Sequence, residues 1–372
     1  MSLPEISYND QFLPSTGSNF GIDFSELDPA DLAELIRVAR IKGSPVDGMP
    51  EVRETMARFL GEFMATSGRF SARTLRTLSS AWGMFCRWCD ENSVTSIPAK
   101  TETVIRYLSH RAMTVHRNSV SVDRWAIGRM HRAAGCPDPA GDQRVSDALS
   151  AIKRQKVADG EGIEQASPMR EFYLDQLVDM WRGSQQVKDR RDLALLTIGY
   201  ETLLREAEIS RIKMKHLAVQ ADGSGVLTVM ITKTNHSGEP DVIGLSRQAV
   251  SLCMEYLQLA GRPFDATSEA ALFGSVSKHG SGLKRGVPLS VKTIERIFAR
   301  AHEALQLGGM GIPVWTGHSA RVGAAQDMAA AGCTILQIMQ AGRWSSEAMV
   351  LRYCRAILAS EGAMAVRRAG RV

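Results

Sequence analysis

The sequence has 372 residues, of which 44% are hydrophobic and 23% are charged, a composition typical of a globular protein with room for two domains. This composition excludes a chain that is disordered throughout. No run approaches the roughly 18 uninterrupted apolar residues of a membrane span, and the start MSLPEISYNDQ lacks the basic and then apolar order of a signal peptide. We therefore expect a cytoplasmic protein without membrane contact.

Charge is distributed unevenly along the chain, although the net charge of +5 is modest. Residues 1–50 hold 3 basic and 8 acidic side chains, whereas residues 51–156 hold 17 basic and 10 acidic ones. A basic body behind an acidic leader suits a polyanion such as DNA, but many proteins with this imbalance bind none. The charge pattern permits a nucleic-acid partner without demonstrating it.

The six cysteines are too few and too scattered for a disulfide framework in a chain of this size. Cys86 and Cys89 form a CxxC motif, but it lies inside a helical pattern and has no second CxxC or CxxH partner. We interpret the pair as core packing and expect no metal site.

Residues 1–24 are rich in Ser, Asn, Pro and Gly without periodicity and are predicted to form a mobile leader. In the accessory segment 25–49, a short helix is predicted from Asp28 to about Ile41, before the break at GSPVDGMP. Residues 50–160 then read as helix after helix, which predicts a compact helical domain. The clearest helix follows Ser71, a suitable N-cap, and places large side chains on one face. These are Leu75, Leu78, Trp82, Phe85 and Cys89.

The segment EGIEQASP, residues 161–168, combines Gly, polar residues and Pro between two periodic regions and is predicted to be a linker. The second domain, 169–372, begins with two helical patterns. Strand patterns follow at 226–232 and 240–246, joined by the hairpin signal KTNHSGE. Residues 275–288 are predicted to be a loop rich in Gly and Lys. The fold class is therefore mainly α, with an N-terminal helical domain and an α+β domain that contains a small antiparallel sheet.

The second domain contains the side-chain types that metal-free phosphoryl transfer on DNA needs. Such a reaction needs a nucleophile, cations for the phosphate, a proton donor for the leaving oxygen and an acceptor for the nucleophile's proton. The candidates are Arg205, Lys233, His318, Arg321, Trp344 and Tyr353. The HxxR spacing places His318 and Arg321 on one face of a helix's first turns, where backbone N–H groups also attract an anion.

Each candidate also has an ordinary structural interpretation. An arginine that ends a helix is usually a solvated cap, a histidine before a helix is usually satisfied locally, and a tryptophan usually belongs to a core. Of the six tyrosines, Tyr8 lies in the leader, and Tyr107, Tyr173, Tyr200 and Tyr256 lie on apolar helical faces. Because the six candidates occur together and in order, their joint pattern favours a catalytic site.

These segments resemble the tyrosine recombinases, the phage integrase family, and in particular its plasmid and phage members. The resemblance is carried by TLLREAEISRI, ITKT, WTGHSARVGAAQDMAAAG, IMQAGRW and the Tyr353 region, and it is recognisable from about Ser71 onward. The leader and its helix do not match the family. The resemblance implies a site-specific recombinase that cleaves and rejoins DNA through a 3′-phosphotyrosyl intermediate and a Holliday junction, with excision, inversion or integration as the outcome.

The resemblance also implies a role for each matching residue. Tyr353 would be the nucleophile. Arg205 and Arg321 would clamp the scissile phosphate, because a planar guanidinium forms bidentate charge-assisted bonds. Lys233, in the hairpin turn, would protonate the departing 5′ oxygen as general acid.

Three further roles follow from the same match. His318 would accept the tyrosine proton or bond the phosphate. Trp344 stands where other recombinases often have a histidine, and its indole N–H would donate to the phosphate but could not accept a proton. Glu208 would hold the active site in shape rather than react. No cofactor is expected, because the bond energy is conserved in the protein–DNA ester.

Two helices of the first domain have polar and basic faces suited to the major groove. The expected contacts are Arg73 and Arg76 on one helix, and Arg117, Ser121 and Arg124 on the other. In the second domain, the resemblance places Lys292 at a position that faces DNA, and the expected phosphate contacts are Lys278, Lys284 and Arg285. For each residue, the alternative is a solvated surface charge.

The resemblance implies double-stranded target sites of inverted-repeat type and four protomers on two sites, in association with the nucleoid. The tail AILASEGAMAVRRAG would dock into a neighbouring subunit, unless it packs on its own domain. Two other functions stay open, a strand transferase of the telomere-resolvase or type IB topoisomerase kind and a DNA-binding regulator without catalysis. The two-domain length argues against the first, and the filled catalytic positions argue against the second.

Overall fold

The computed structural model describes residues 24, 26–43, 49–66, 68, 70–162, 164–230, 239–276 and 283–360. Over these residues the chain is mainly helical with two small antiparallel sheets, and the predicted fold class is confirmed. The chain divides into two compact units, Met1–Ile163 and Glu164–Val372. In the part of the chain that the structure describes, no helix is both long and apolar enough to cross a membrane.

The first unit has six helices in its described residues. They are α1 Pro29–Ile41, α2 Pro50–Ala65, α3 Ala72–Glu91, α4 Thr101–Ala112, α5 Arg117–Ala133 and α6 Gln143–Ala158. Local capping explains two of the helix starts. The Asp28 carboxylate accepts hydrogen bonds from the first N–H groups of α1, and the Ser71 hydroxyl accepts one from Thr74 in α3. Both predicted N-termini are confirmed.

The core of the first unit is built around one face of α3. Leu78, Trp82, Phe85 and Cys89 of that face are buried, whereas the predicted Leu75 is only partly buried. Helix α1 belongs to the same core, because its Leu32 and Ile36 side chains are completely buried in it. The helix predicted as an accessory element is therefore part of the first unit's packing.

The second unit has nine helices and five strands in its described residues. The helices are α7 Glu171–Trp181, α8 Val187–Thr202, α9 Glu206–Ile209, α10 Arg247–Leu259, α11 Val291–Ala304, α12 Gly317–Ala330, α13 Ile335–Gly342, α14 Glu347–Tyr353 and α15 Arg355–Ser360. The strands are β1 Leu217–Val219, β2 Gly225–Val229, β3 Asp241–Leu245, β4 Gly274–Val276 and β5 Leu283–Pro288.

The two predicted strands form the centre, β2, and one edge, β3, of a three-stranded sheet with the order β1-β2-β3. Strands β2 and β3 are antiparallel, with Leu227 opposite Ile243, and this pairing confirms the predicted hairpin partners. Residues 231–238, the end of the first strand pattern and most of its turn, lie outside the described residues.

The prediction of a continuous loop at 275–288 was wrong, because its ends form the antiparallel pair β4 and β5. The pairing shifts register between Gly274 and Val276, and β4 has only three residues. Such a short and irregular pair leaves no alternating apolar pattern in the sequence.

Helix α8 lies at the centre of the second unit and is buried on nearly all sides. It carries a buried charge cluster around Asp192, which has no exposed side-chain surface. The Asp192 carboxylate accepts hydrogen bonds from Arg191 at 2.8 Å and 2.5 Å, and from Arg300 of α11 at 2.6 Å. This carboxylate therefore links two helices, and the Arg300 guanidinium has a second carboxylate partner in Asp189.

We predict that Asp192→Asn lowers the free energy of unfolding by about 3 kcal/mol, because it leaves the buried Arg191 guanidinium without its carboxylate partner. The exposed Asp175 on α7 provides the matched control, and Asp175→Asn is expected to change stability by less than about 0.5 kcal/mol. Urea unfolding of both variants measures the difference. Equal stability of the two variants would show that the charge of Asp192 does not contribute to the free energy of unfolding.

A second prediction concerns His131 of α5, which is completely buried in the first unit. Its Nε2 accepts the Ala99 N–H at 2.8 Å, and its Nδ1 donates to the Ile127 carbonyl oxygen at 2.8 Å. Burial lowers the pKa of the imidazole from 6.5 to about 4. As the pH falls, the unfolded chain binds a proton at this histidine before the folded protein does. The contribution of neutral His131 to the free energy of unfolding is therefore fully present above pH 6.5 and is lost as the pH falls toward 4.

Between about pH 7 and about pH 5, this single group should therefore remove about 2 kcal/mol from the free energy of unfolding. His131→Gln, which keeps one donor and one acceptor, should be less stable at neutral pH and should lose about 2 kcal/mol less over the same interval. Urea unfolding at the two pH values tests this. Parallel losses in both proteins would contradict it.

Candidate active site

Arg205 begins the site, at a sharp turn between α8 and α9. Helix α8 ends at Thr202, and Leu203 adopts the left-handed conformation with φ 52°. Arg205 is therefore the residue that precedes α9, and not the last residue of an apolar helix as its sequence context indicated. Its backbone N–H donates to Glu208 Oε2 at 2.8 Å, and its Nη1 donates to Glu208 Oε1 at 2.9 Å. Glu208 thus fixes both the backbone and the guanidinium of Arg205.

Arg321 lies in α12 and is almost completely buried, with 1% of its surface exposed. Its Nη2 donates to the Gly342 carbonyl oxygen at 3.2 Å, and its guanidinium lies 5.2 Å from the centre of the Trp344 ring. Among the described residues, Nη1 has no hydrogen-bond partner. Burial, together with the nearby charge of Arg205, lowers the pKa of Arg321 to about 10. The side chain is still a cation at neutral pH.

Trp344 and Tyr353 pack against each other next to this cation. Their ring centres are 5.3 Å apart in an edge-to-face arrangement, and each residue is 8% exposed. Gly342 makes this packing possible, because a Cβ atom there would lie 2.5 Å from carbon atoms of the Trp344 ring. Tyr353 also acts electrostatically on Arg321, as expected if the phenol and the guanidinium share one site.

His318 lies on the first turn of α12, whose start is capped by the Thr316 hydroxyl. Its side chain is half exposed and lines a cavity of about 590 Å³ together with Tyr353 and Arg352. Residues 164–167, which belong to the predicted linker, also line this cavity. His318 and Tyr353 are therefore exposed to a common space.

Tyr353 is also held through its backbone, by two residues that the sequence did not single out. Gln326 of α12 and Gln165 both donate side-chain N–H groups to the Tyr353 carbonyl oxygen, at 3.0 Å and 3.2 Å. Gln326 lies within the segment WTGHSARVGAAQDMAAAG but was given no role there, and Gln165 is 188 positions away from Tyr353 in the sequence. No local pattern could have identified this anchor.

Arg343 is a third guanidinium near the site, partly buried, that the sequence did not single out. It adopts the left-handed conformation with φ 52°, and its Nη2 donates to the Thr202 carbonyl oxygen at 2.8 Å. Its Nε lies 3.7 Å from an oxygen of Asp241 in β3. Burial lowers the pKa of Arg343, and Arg205 adds to this effect. Arg343 ties the turn before Trp344 to α8 and to the sheet.

The structure brings together six of the seven predicted catalytic residues in the second unit. These are Arg205, Glu208, His318, Arg321, Trp344 and Tyr353. The seventh, Lys233, lies outside the described residues.

The predicted DNA contacts have different surroundings. Arg73 and Arg76 of α3 and Lys292 on the first turn of α11 are exposed. Lys278 and the side chains of Lys284 and Arg285 lie outside the described residues.

The predicted contacts on α5 already have partners inside the first unit. Arg117 Nη1 donates to the Glu161 carbonyl oxygen at 2.5 Å, and Arg124 donates to the Ala140 carbonyl oxygen at 2.9 Å and to the Ser146 hydroxyl at 2.8 Å. The Ser121 hydroxyl donates to the Arg117 carbonyl oxygen at 3.1 Å. DNA contacts by these residues require either exchange of these bonds or use of the remaining N–H groups.

Clustered guanidiniums, an imidazole and an indole around a tyrosine define a site for phosphoryl transfer through a phenolic nucleophile. Comparison with known proteins agrees with this class. The model of the phage integrase family matches residues 169–358. Recombinase Cre of Escherichia phage P1 is 32% identical over 329 residues, which cover 86% of this chain and 94% of that protein. An integrase/recombinase XerD homologue of Selenomonas ruminantium is 28% identical over 75% of this chain and 80% of its own length.

Solved structures share the fold at low sequence identity. The XerH recombinase in a post-cleavage complex with a palindromic difH substrate has a TM-score of 0.56 and 10% identity, covering 87% of this chain and 84% of that chain. A λ integrase dimer bound to a core site has a TM-score of 0.50 and 15% identity, covering 81% of this chain and 94% of that chain.

The match to the family model and the identity to Cre show that the chain belongs to the phage integrase family, the tyrosine site-specific recombinases, as its motifs predict. It is an enzyme of this class, similar to Cre.

Proposed function

We propose that Tyr353 attacks a scissile phosphate in double-stranded DNA, forms a 3′-phosphotyrosyl ester and releases a 5′ hydroxyl group. The hydroxyl group of a partner strand then attacks the ester and restores the DNA backbone. One phosphodiester bond is exchanged for one phosphotyrosyl bond, so the first step consumes no net bond energy. The reaction consequently needs no nucleotide cofactor to drive religation.

The observation that carries this proposal is the buried Arg321 beside Tyr353. A guanidinium that is removed from water and keeps an unpaired N–H group is unfavourable unless an anion completes its environment. The DNA phosphate supplies that anion at the place where Tyr353 would attack. Arg205, held in orientation by Glu208, supplies the second guanidinium for the non-bridging oxygens.

The remaining groups would move or share protons. His318 would accept the phenolic proton or bond the phosphate, because an imidazole can exchange a proton near neutral pH. Lys233 would protonate the leaving 5′ oxygen. Trp344 would donate its indole N–H to the phosphate and, through its ring, keep Arg321 and Tyr353 in position.

DNA is the partner that both the charge pattern and the named complexes of the structural neighbours support. The exposed Arg73, Arg76 and Lys292 are proposed to contact DNA directly, and Lys278, Lys284 and Arg285 to contact phosphates. Arg117, Ser121 and Arg124 are proposed as major-groove contacts that use donors left over from their internal bonds. The affinity for DNA should therefore fall steeply as salt is added.

The domain roles and the assembly complete the proposal. Residues 50–160 would recognise the DNA sequence, residues 169–372 would catalyse the reaction, and residues 161–168 would link the two parts. Four protomers would assemble on two inverted-repeat sites in the nucleoid. The tail AILASEGAMAVRRAG, which begins within α15, would dock into a neighbouring subunit, and its Ile357 and Leu358 also pack against the core of their own unit. Two rounds of strand exchange through a Holliday junction would then lead to excision, inversion or integration.

Tyr353→Phe should abolish the covalent protein–DNA complex, because it removes the attacking oxygen and keeps the ring. DNA sequences that the protein binds are first selected from a random pool. A substrate nicked near the scissile position, which traps the cleaved state, is then incubated with protein and separated on a denaturing gel. The wild type should give a slowly migrating complex and Tyr353→Phe none, with DNA affinity unchanged within about twofold.

Tyr173→Phe is the matched control, because Tyr173 is a half-buried tyrosine of the same unit that packs on Trp315. It should form the complex at the wild-type level. If wild-type protein binds selected DNA and never becomes linked to it, the chain is a DNA-binding regulator and the proposed reaction is wrong.

A further inference from the structure

Glu206, next to Arg205 in sequence, is a buried carboxylate outside the predicted catalytic set. It is 8% exposed, and its Oε1 lies 3.4 Å from His318 Nδ1. The carboxylate reaches this position under the start of α12 because residue 317 is glycine. A Cβ atom at Gly317 would lie 2.0 Å from Glu206 Cγ. The close approach of α9 to α12 therefore brings this carboxylate to the imidazole.

A second carboxyl group, Glu295 of α11, contacts Glu206 from the other side. Glu295 Oε2 accepts the Gly317 N–H at 3.1 Å, and the two carboxyl groups are hydrogen-bonded to each other. Two carboxylates in contact cannot both be charged without repulsion, so they share one proton. Burial and the neighbouring Glu206 raise the pKa of Glu295. Burial also raises the pKa of Glu206, but hydrogen bonds from His318 and Glu295 outweigh this effect and lower it. These opposite shifts make Glu206 the more acidic carboxyl group of the pair.

Glu206 is not needed to cap the N-terminus of α12, because other residues accept hydrogen bonds from its first N–H groups. Thr316 Oγ1 accepts the His318 N–H at 3.3 Å, and Glu295 accepts the Gly317 N–H. The first backbone donors of the helix are therefore satisfied by other residues. Among the described residues, the hydrogen bond from the Glu206 side chain to a group outside its own helix and Glu295 is the one with the His318 ring.

We propose that Glu206 is a positioning residue for His318, whose Nδ1–H donates to the Glu206 carboxylate. This inference rests on the proposed function. An anion at Nδ1 keeps the ring proton on that nitrogen, so Nε2 is unprotonated in the neutral ring and turns away from the buried carboxylate. His318 and Tyr353 line the same cavity. Nε2 is then the proton acceptor on the side of the nucleophile.

This arrangement selects between the two roles given to His318. With Nδ1 protonated and engaged, the neutral ring accepts the phenolic proton through Nε2 as Tyr353 attacks, and the resulting imidazolium is stabilised by Glu206. The proton returns from Nε2 to the tyrosine oxygen when the partner 5′ hydroxyl displaces it. The attacking 5′ hydroxyl gives its own proton back to Lys233, which would have protonated the leaving 5′ oxygen, so protons and charge balance over the two half-reactions.

The test compares three variants of the full-length protein. Glu206→Met removes the acceptor and nearly conserves the side-chain length, whereas Glu206→Gln keeps an acceptor oxygen without the charge. Glu303→Met, at an exposed carboxylate on α11, is the matched control. Nitrogen-15 histidine NMR, recorded at a pH where the spectrum itself shows a neutral ring, identifies the His318 tautomer. The His318 signal is assigned by its loss in His318→Gln.

We expect the Nδ1–H tautomer in the wild type, in Glu206→Gln and in Glu303→Met, and the Nε2–H tautomer in Glu206→Met. The single-turnover cleavage rate constant at saturating DNA should fall about 100-fold in Glu206→Met and about tenfold in Glu206→Gln. The Kd for DNA should change by less than about twofold, because a positioning residue acts on the chemical step and not on binding. Glu303→Met should cleave at the wild-type rate.

Two results would overturn the inference, namely an Nε2–H tautomer in the wild type or wild-type cleavage by Glu206→Met. If Glu206→Met does not fold, judged by thermal unfolding, Glu206→Gln decides in its place, and wild-type cleavage by that variant contradicts the role. The tautomer is measured without DNA. A wild type that shows the Nδ1–H tautomer but forms no covalent complex would therefore refute the proposed function and leave the Glu206–His318 contact standing.

Discussion

A buried guanidinium needs a counter-charge, and in this protein Arg321 does not receive one from a direct hydrogen bond. Its recorded contacts are a carbonyl oxygen and the face of an indole ring, and one of its donor groups has no partner in the described part of the chain. Removing such a cation from water costs several kcal/mol, which the fold must offset elsewhere. We propose that an anion completes this site. Phosphate geometry matches the planar guanidinium, and the ring of Tyr353, the proposed nucleophile, packs on the same indole as Arg321.

The surrounding structure keeps this unfavourable arrangement in place. Asp327 of α12 binds Arg170, accepts the Glu171 N–H at 2.8 Å and accepts the Tyr200 hydroxyl at 2.7 Å, so the helix that carries Arg321 is tied to α7 and α8. Arg343 ties the turn before Trp344 to α8 and β3. Such cross-links between rigid elements hold a reacting geometry that isolated side chains would lose to conformational freedom.

The sequence could predict those parts of the site whose residues lie within a few positions of each other, and it could not predict contacts between distant residues. Helix caps such as Ser71, the HxxR spacing of His318 and Arg321, and the motif around Tyr353 lie within a few residues, and the structure places all of them as expected. Glu206, Glu295, Gln165 and Arg343 act on residues 22 to 188 positions away or through a backbone conformation, so no periodicity or spacing reveals them. The pair β4–β5 was missed for a related reason, because three residues with a register shift leave no alternating pattern.

Neutralisation of one phosphate by Arg321 is the central claim, and a substrate with an uncharged methylphosphonate at the scissile position tests it most directly. If the buried guanidinium acts by balancing the phosphate charge, Arg321→Ala should be nearly inactive on natural DNA and should recover cleavage by at least about tenfold on the methylphosphonate. Tyr353→Phe should stay inactive on both substrates. An Arg321→Ala protein that is equally impaired on the charged and the uncharged substrate would contradict the account, because the guanidinium would then not be acting on that charge.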